Sequence, residues 1–340
     1  MTGNAVFARL LVIAVLCVTA SAASAQSIAD FYKARGLSIY IGYGPGGGYD
    51  LYSRLLARYI GKYLPGQPNV IPRNEPGAGS FKLANELFNA LPKDGSVVGM
   101  IGDAAVISQV LGDPAAKFSA ENFNWIGRLA DSDPVLVSRA GASATVKEAL
   151  SKEILVGVPG AGSATTLNLT VLNGLYGAKF KLVSGYEGSS QIRLALERGE
   201  VDGSASMLWR IDRDWIRERK LNVVYQASLD AAPDLAGVPR LIDLARDDEE
   251  RQLLRFFSSY TTLGRAILAP PNIPQDRVKA LRTAFNATMK DAAFLAEAEK
   301  AKLEINAASG EEIAALVNEV TGLSVQLREK AKTLTRVKAN

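Results

Sequence analysis

The sequence predicts an α/β protein: parallel sheets with helices on both faces. Three observations carry the expectation. Short apolar, β-like runs alternate with amphipathic helical patterns along most of the chain. The length of 340 residues suits about two domains. Four strand-to-helix junctions, two in each half, share one glycine-rich chemistry.

Taken in order, residues 1–25 read as an export signal. Arg9 precedes the apolar run 10–18, and Ala23-Ser24-Ala25 forms a small-residue cleavage site before Gln26. The alternative is an N-terminal membrane anchor, but the run falls short of the ~20 residues a spanning helix needs. Cys17, the single cysteine, lies inside this leader and follows Leu16, a poor residue for lipid attachment. The mature chain is therefore expected in the periplasm, without disulfide or thiol chemistry.

Strands are expected at 37–42, 69–73, 97–101, 124–128, 135–138, 154–158, 179–183, 203–208, 222–226 and 266–269. Helices are expected at 50–63, 80–90, 104–111, 145–151, 165–176, 190–199, 210–218, 239–257, 275–289, 291–301 and 310–332. The last ~65 residues are almost wholly helical and open with the loop APPNIPQD. Asn272 and Pro274 stop the strand before it, and Asp276 sits near the next helix start.

The four junctions are GYGPGGGYD (42–50), RNEPGAGSF (73–81), VPGAGSATT (158–166) and SGYEGSSQ (184–191). Each places glycine where the backbone turns or where something approaches closely. Each supplies Asp, Ser or Thr near the first helical turn as an N-cap. A helix start offers free N–H groups and a partial positive charge, which suits an anion. In open α/β sheets the binding crevice lies at such strand ends.

Composition excludes several function classes. Net charge is +4, falling to +3 once Arg9 leaves with the leader, and the basic residues are interspersed with acidic ones. No nucleic-acid partner is expected. Histidine is absent, which removes the commonest general base and metal ligand and rules out a Ser-His-Asp triad. Gly42-x-Gly44-x-x-Gly47 formally matches a dinucleotide fingerprint, but no acidic residue follows at the required spacing of ~20. Ser163 lacks a nucleophile elbow, because Ala161 and Thr165 stand at the glycine positions. The acidic run 247–250 reads as a solvated helix face. Trp209, near a strand end, is a better pocket candidate than Trp215. Catalytic residues, metal and cofactor are therefore not expected.

The order of motifs resembles the substrate-binding proteins of tripartite tricarboxylate transporters, the Bug family. The resemblance rests on Pro45-Gly46-Gly47 with Asp50, on Asn74 with Pro76-Gly77-Ala78-Gly79, and on PKDGSVVGM (92–100). It continues through GAGSATTLNL (160–169), GYEGSSQIRLALERGEVDG (185–203), PDLAGVPRLIDLA (233–245) and LAPPNIP. It implies a two-lobed periplasmic binding protein (type II-like, Venus flytrap) with a ligand cleft between the lobes. Lobe 1 would hold residues 27–131 and 262–340, and lobe 2 residues 132–261. A carboxylate would be held by backbone amides, hydroxyls and waters. Lobe 1 would contribute Tyr43, Gly44, Pro45, Gly46, Gly47, Gly48, Tyr49 and Asp50, then Asn74, Gly77, Ala78, Gly79 and Ser80. Lobe 2 would contribute Ala161, Gly162, Ser163, Ala164, Thr165, Thr166, Tyr186, Gly188, Ser204 and Ser206, with Trp209 nearby.

Leu167 and Asn168 replace the family's frequent His-Leu, and Ser206 stands about where Asp is frequent. Glu75 and Glu187 either add negative charge at the cleft mouth or point into solvent. Asp50, acceptor-only when ionised, is expected to cap the following helix and fix the loop rather than meet the carboxylate. Ser163, Thr165 and Thr166 would donate to the ligand's other end. No arginine is well placed in these loops, and an amide grip needs none. Bulk at Gly47 should block binding while leaving the fold intact. A monomer that delivers its ligand to membrane transporter subunits is implied. The alternatives are a secreted hydrolase with a non-histidine mechanism and a ligand-sensing accessory protein.

Overall fold

The computed structural model describes residues 26–335, so the expected leader and its cleavage site lie outside the described residues. Among the described residues, eleven strands form two sheets. The first has the order β11-β4-β10-β3-β1-β2. Its strands are β1 (Leu37–Ile41), β2 (Val70–Asn74), β3 (Val97–Met100), β4 (Asn124–Arg128), β10 (Ala266–Ala269) and β11 (Ala308–Ser309). The second has the order β7-β6-β8-β5-β9. It contains β5 (Pro134–Ser138), β6 (Glu153–Val158), β7 (Lys179–Ser184), β8 (Gly203–Leu208) and β9 (Asn222–Gln226).

Burial follows strand position. The interior strands β3, β5 and β10 are buried at every residue, whereas the edge strand β2 is nowhere buried. Continuous apolar runs thus mark strands covered on both faces. Core residues of both sheets, such as Val97 and Val156, share one apolar cluster.

The sheets are mixed, which corrects the expectation of parallel ones. β1 runs parallel to β2 and β3, and β6 parallel to β7 and β8. β10 is antiparallel to β3 and β4, and β5 is antiparallel to β8 and β9. β5 and β10 are the strands that follow the two chain crossings between the sheets. Each enters its new sheet without the helical crossover that a parallel neighbour needs. The crossings run side by side: Leu129 N donates to Arg265 O (3.0 Å), Arg265 N to Ala130 O (2.7 Å) and Ser132 N to Thr261 O (2.9 Å).

The helices are α1 (Ile28–Arg35), α2 (Gly48–Ile60), α3 (Phe81–Asn89), α4 (Ala105–Val110), α5 (Val146–Ser151), α6 (Ala164–Tyr176) and α7 (Ser189–Arg198). They continue with α8 (Trp209–Glu218), α9 (Asp248–Ser258), α10 (Tyr260–Leu263), α11 (Gln275–Thr288), α12 (Ala292–Lys300), α13 (Gly310–Thr321) and α14 (Val325–Thr335). α1 and α10 were not expected. The helix expected over 239–257 is a 3₁₀ turn, Leu241–Leu244, followed by α9, because Asp247 accepts from Glu250 N and caps a new start. The helix expected over 310–332 breaks after Thr321 into α13 and α14. α13 packs on β4, whereas α14 packs on α6 beside the second sheet.

Candidate functional site

β1 ends buried at Ile41, and the chain must then turn past β2's own exit loop. Glycine is required at 42, because a Cβ there would stand 2.0 Å from Ser80 Oγ. α2 begins at Gly48 with Gly47 as its N-cap residue and no side-chain cap. Asp50 is therefore not the cap that was expected; it lies inside the first turn. Its Oδ2 accepts from Gly46 N (2.9 Å), and its Oδ1 accepts from Arg54 Nε (2.8 Å) and Asn74 Nδ2 (2.8 Å). Asn74 Nδ2 also donates to Tyr43 O (2.9 Å). Asp50 and Asn74 thus fix the loop from behind.

Of the other three junctions, one is capped by its side chain and two are not. Ser163 caps α6 by accepting from Thr166 N (3.3 Å), as expected. Gly188, before α7, and Ser80, before α3, make no side-chain cap. Ser80 Oγ is instead taken by Gly102 N (2.9 Å).

The four loops meet in pairs. Gly44 N donates to Glu187 O (2.8 Å), and Ser190 Oγ donates to Pro45 O (2.7 Å). Gly162 N donates to Ala78 O (3.2 Å). A Cβ on Gly79 would stand 2.5 Å from Ser163 N, and one on Gly47 would stand 2.8 Å from Ser189 Oγ. Gly79 admits backbone of the opposite lobe, and Gly47 admits a side-chain hydroxyl.

Beneath these contacts lies a cavity of about 70 Å³. Of the expected residues it is lined by Tyr43, Gly46, Gly47, Gly48, Tyr49, Ser163, Ala164, Thr165, Gly188 and Ser206. Thr165 Oγ1 and Ser206 Oγ are 2.8 Å apart, and the Tyr43 and Tyr49 rings stack at 4.3 Å. Gly44, Pro45, Ala78, Gly79 and Gly162 instead form the contacts between lobes. Gly77 belongs to the second junction but does not line the cavity. Ala161 and Thr166 line a separate cavity beside α14, with Thr166 Oγ1 donating to Gly160 O (2.7 Å). Tyr186 packs near Gly157, and Ser204 Oγ accepts from Ser206 N (3.2 Å). Trp209 lies in the second lobe's core, with Nε1 donating to Asp234 Oδ1 (2.7 Å).

Glu75 pairs with Lys82 at the start of α3, while Glu187 is exposed with Oε2 accepting from Gln191 Nε2 (3.2 Å).

Sequence reasoning missed the charged floor of the cavity. Arg265 Nη1 donates to Ser132 Oγ (2.8 Å) and lies 3.3 Å from Asp103 Oδ2. Ser132 Oγ donates to the same Oδ2 (2.7 Å), and Asp103 Oδ1 accepts from Ala104 N (2.9 Å). The Arg265 guanidinium lies 4.0 Å from the Tyr49 ring centroid. Burial lifts the Asp103 carboxyl above its ordinary range, with Arg265 acting against the rise. Burial also works against the Arg265 cation, but Tyr49 and Asp103 hold its pKa above the usual value. From the second lobe, Arg193 lines the cavity, paired with Asp212 and lying over the Trp215 ring. One signal pointed to Arg265: a lone charge between Gly264 and the wholly buried strand AILA.

The profile of the tripartite tricarboxylate transporter family receptors matches residues 53–331. A curated relative from Cupriavidus necator, "UPF0065 protein in gbd 5'region", is 31% identical over 194 residues. That match covers 53% of this chain and 56% of the relative, so it spans about half the relative's length. Among solved structures, the periplasmic binding protein BugD superposes with a TM-score of 0.68 at 20% identity, covering 88% of this chain and 97% of its own. An R. palustris protein solved with adipate gives 0.67 at 16% identity, covering 87% and 96%. Both share the two-lobed fold.

Proposed function

The chain belongs to the tripartite tricarboxylate transporter receptor family, and from that premise we propose that it is a periplasmic receptor that captures a small carboxylate-bearing solute between its lobes. Its family is one of receptors, not enzymes, which sets aside the hydrolase alternative. Lobe 1 would comprise residues 27–131 and 262–340 and lobe 2 residues 132–261. The membership of the two sheets and the paired crossings at 129–132 and 261–265 support this division, except that α14 packs on α6 and so sits against lobe 2.

One observation carries the proposal. The starts of α2 and α6 converge on one cavity from opposite lobes, and the glycine-rich loops before them close over it. Two helix N-termini supply N–H donors and partial positive charge where an anion would lie. Ser206 and Thr165 add hydroxyls, and the tyrosine pair with Leu208 and Ile211 gives an apolar wall. Closing the lobes would bury the ligand and create the surface that the membrane subunits read. Solved relatives of the fold include one with adipate, so that acid belongs among the first tried.

The test is thermal denaturation with straight-chain C3–C8 mono- and dicarboxylates, adipate among them. A ligand at 100 times its Kd adds about 2.7 kcal/mol of stability. A concentration-dependent rise in Tm with unchanged acid recovered afterwards supports the proposal. No shift with any acid, or conversion of the acid in proportion to protein, overturns it.

A further inference from the structure

We infer that Arg265 is a direct, charged anchor for the ligand's carboxylate. This deepens the proposed function and rests on that reading. The guanidinium stands at the hinge, on the last residue of the return crossing, and lines the cavity. The residue is 4% exposed, and among the described residues its side chain donates through Nη1 alone, to Ser132 and Asp103. Nε is buried with no hydrogen-bond partner.

The unused edge has a direction. A Cβ built on Gly48 would stand 3.7 Å from both Nε and Nη2. The Nε–Nη2 edge therefore lies beside the first residue of α2, which lines the cavity, with Leu208 Cδ1 2.8 Å from the same point. α2 has 13 residues and no side chain capping its start. A carboxylate seated there would meet two parallel N–H donors of one guanidinium and the free N–H groups of a helix start. Side-on arginine pairing of this kind is the strong, geometrically specific form of carboxylate recognition.

An unpartnered buried donor is costly for the protein alone. Asp103 neutralises the charge through Nη1 while leaving the fork free, so the cation can be kept in the floor of the cleft. The same arrangement restricts the ligand. Asp103 and Asp212 also line the cavity, so additional carboxylates on the ligand would approach acidic groups. The remainder of the ligand meets Leu51, Leu208 and Ile211 or the hydroxyls of Thr165 and Ser206. The ligand class is an acid with one carboxylate on the fork and an apolar or hydroxylated body.

Calorimetry on the C3–C8 acids and their matching primary amides tests this. The wild type should bind at least one acid and reject its amide by at least 100-fold. Arg265→Gln and Arg265→Lys should each weaken that acid by at least 100-fold, since lysine keeps the charge but not the fork. The double variant Arg265→Gln/Asp103→Asn removes the buried pair as a unit, so it also should lose the acid while keeping a Tm near that of the wild type. Binding within threefold of wild type by the double variant overturns the anchor but leaves the carboxylate receptor standing. Failure of the wild type to bind any acid overturns both. A measurement on the wild type needs no variant to fold: with 15N-arginine, one Nε–H resonance should move on adding the acid and stay on adding the amide. If no arginine resonance moves with a bound acid, the anchor is refuted.

Discussion

Gly44→Ala is a wedge between the lobes. A Cβ on Gly44 would stand 2.8 Å from Glu187 Cβ and 3.0 Å from its Oε2. Gly44 is not among the positive-φ residues, so alanine brings no left-handed backbone strain. Carbon atoms in contact sit about 3.5–4.0 Å apart, so the gap must open by roughly 0.7–1.2 Å. Glu187 Cβ is fixed to its backbone and cannot rotate away. Overpacking of this size costs about 1–3 kcal/mol.

The two residues lie on different lobes, so the strain is relieved by separating the lobes and not by unfolding. The penalty then falls on the closed state, and apparent affinity drops by the fraction of that state lost. At about 1.4 kcal/mol per tenfold, the expected loss is about 5- to 150-fold. Calorimetry with an acid that the wild type binds gives the affinity, urea unfolding of the unliganded protein gives the stability, and small-angle scattering gives the shape. Gly237, with nothing within 4 Å of its Cβ position, serves as a neutral alanine control. Gly44→Ala should bind weakly, unfold at nearly the wild-type urea concentration and fail to contract on ligand addition. Binding within twofold of wild type would refute the reasoning, because the 44–187 contact would not belong to the liganded state. Gly47→Ala should do less, since the Ser189 hydroxyl 2.8 Å away can turn aside.

Two further outcomes are expected. Burial lifts the Asp133 carboxyl to about 6, with Arg210 acting against the rise; the folded state therefore favours its protonated form. That stability is fully present below the ordinary value near 4 and is lost as pH rises through about 6, a cost of about 3 kcal/mol above it. Asp133→Asn should therefore gain on the wild type by up to about 3 kcal/mol in urea melts at pH 8 and lose most of that advantage at pH 4.5; a gap that does not change with pH would contradict this. Asp50→Ala removes the acceptor shared by Gly46, Arg54 and Asn74 and should destabilise the protein by about 1–3 kcal/mol, with weaker acid binding that the loss of loop order explains. Unchanged stability would show that the loop holds its shape without it.

How far the fold could be read from the sequence depended on what each signal encodes. β9 and β10 fall where apolar runs with β-branched residues are bounded by turn residues, and their limits match, as do those of β8, whose run GSASML has no β-branched residue. Strand direction leaves no such mark. Nothing in PVLVS or AILA says that the chain has just crossed from the other lobe, so antiparallel entry was invisible. α10 is a single turn at the second crossing, too short to show a helical period. Capping was misread for a related reason. An Asp two residues past a glycine run fits either a cap or a brace inside the first turn, and only the position of Gly47 as the N-cap residue decides between them.

The glycine signal was real but ambiguous in its object. A bare backbone says that something comes close; it does not say whether that is a ligand or the rest of the chain. Gly44, Gly47 and Gly79 are approached by Glu187, Ser189 and Ser163 of the other lobe. Their smallness is a condition for closure. The groups that can distinguish one solute from another lie deeper and are assembled from far apart: Asp103, Ser132 and Arg265, with the ion-paired ends 162 residues apart in sequence. No local motif contains them, because each sits at the end of a different strand or crossing. The loop motifs that identify the family therefore report how the lobes close. On the proposed reading, what the closed cleft selects is written in single charged residues beside the hinge, and Arg265, whose Nε has no partner, is where a change of ligand should first be sought.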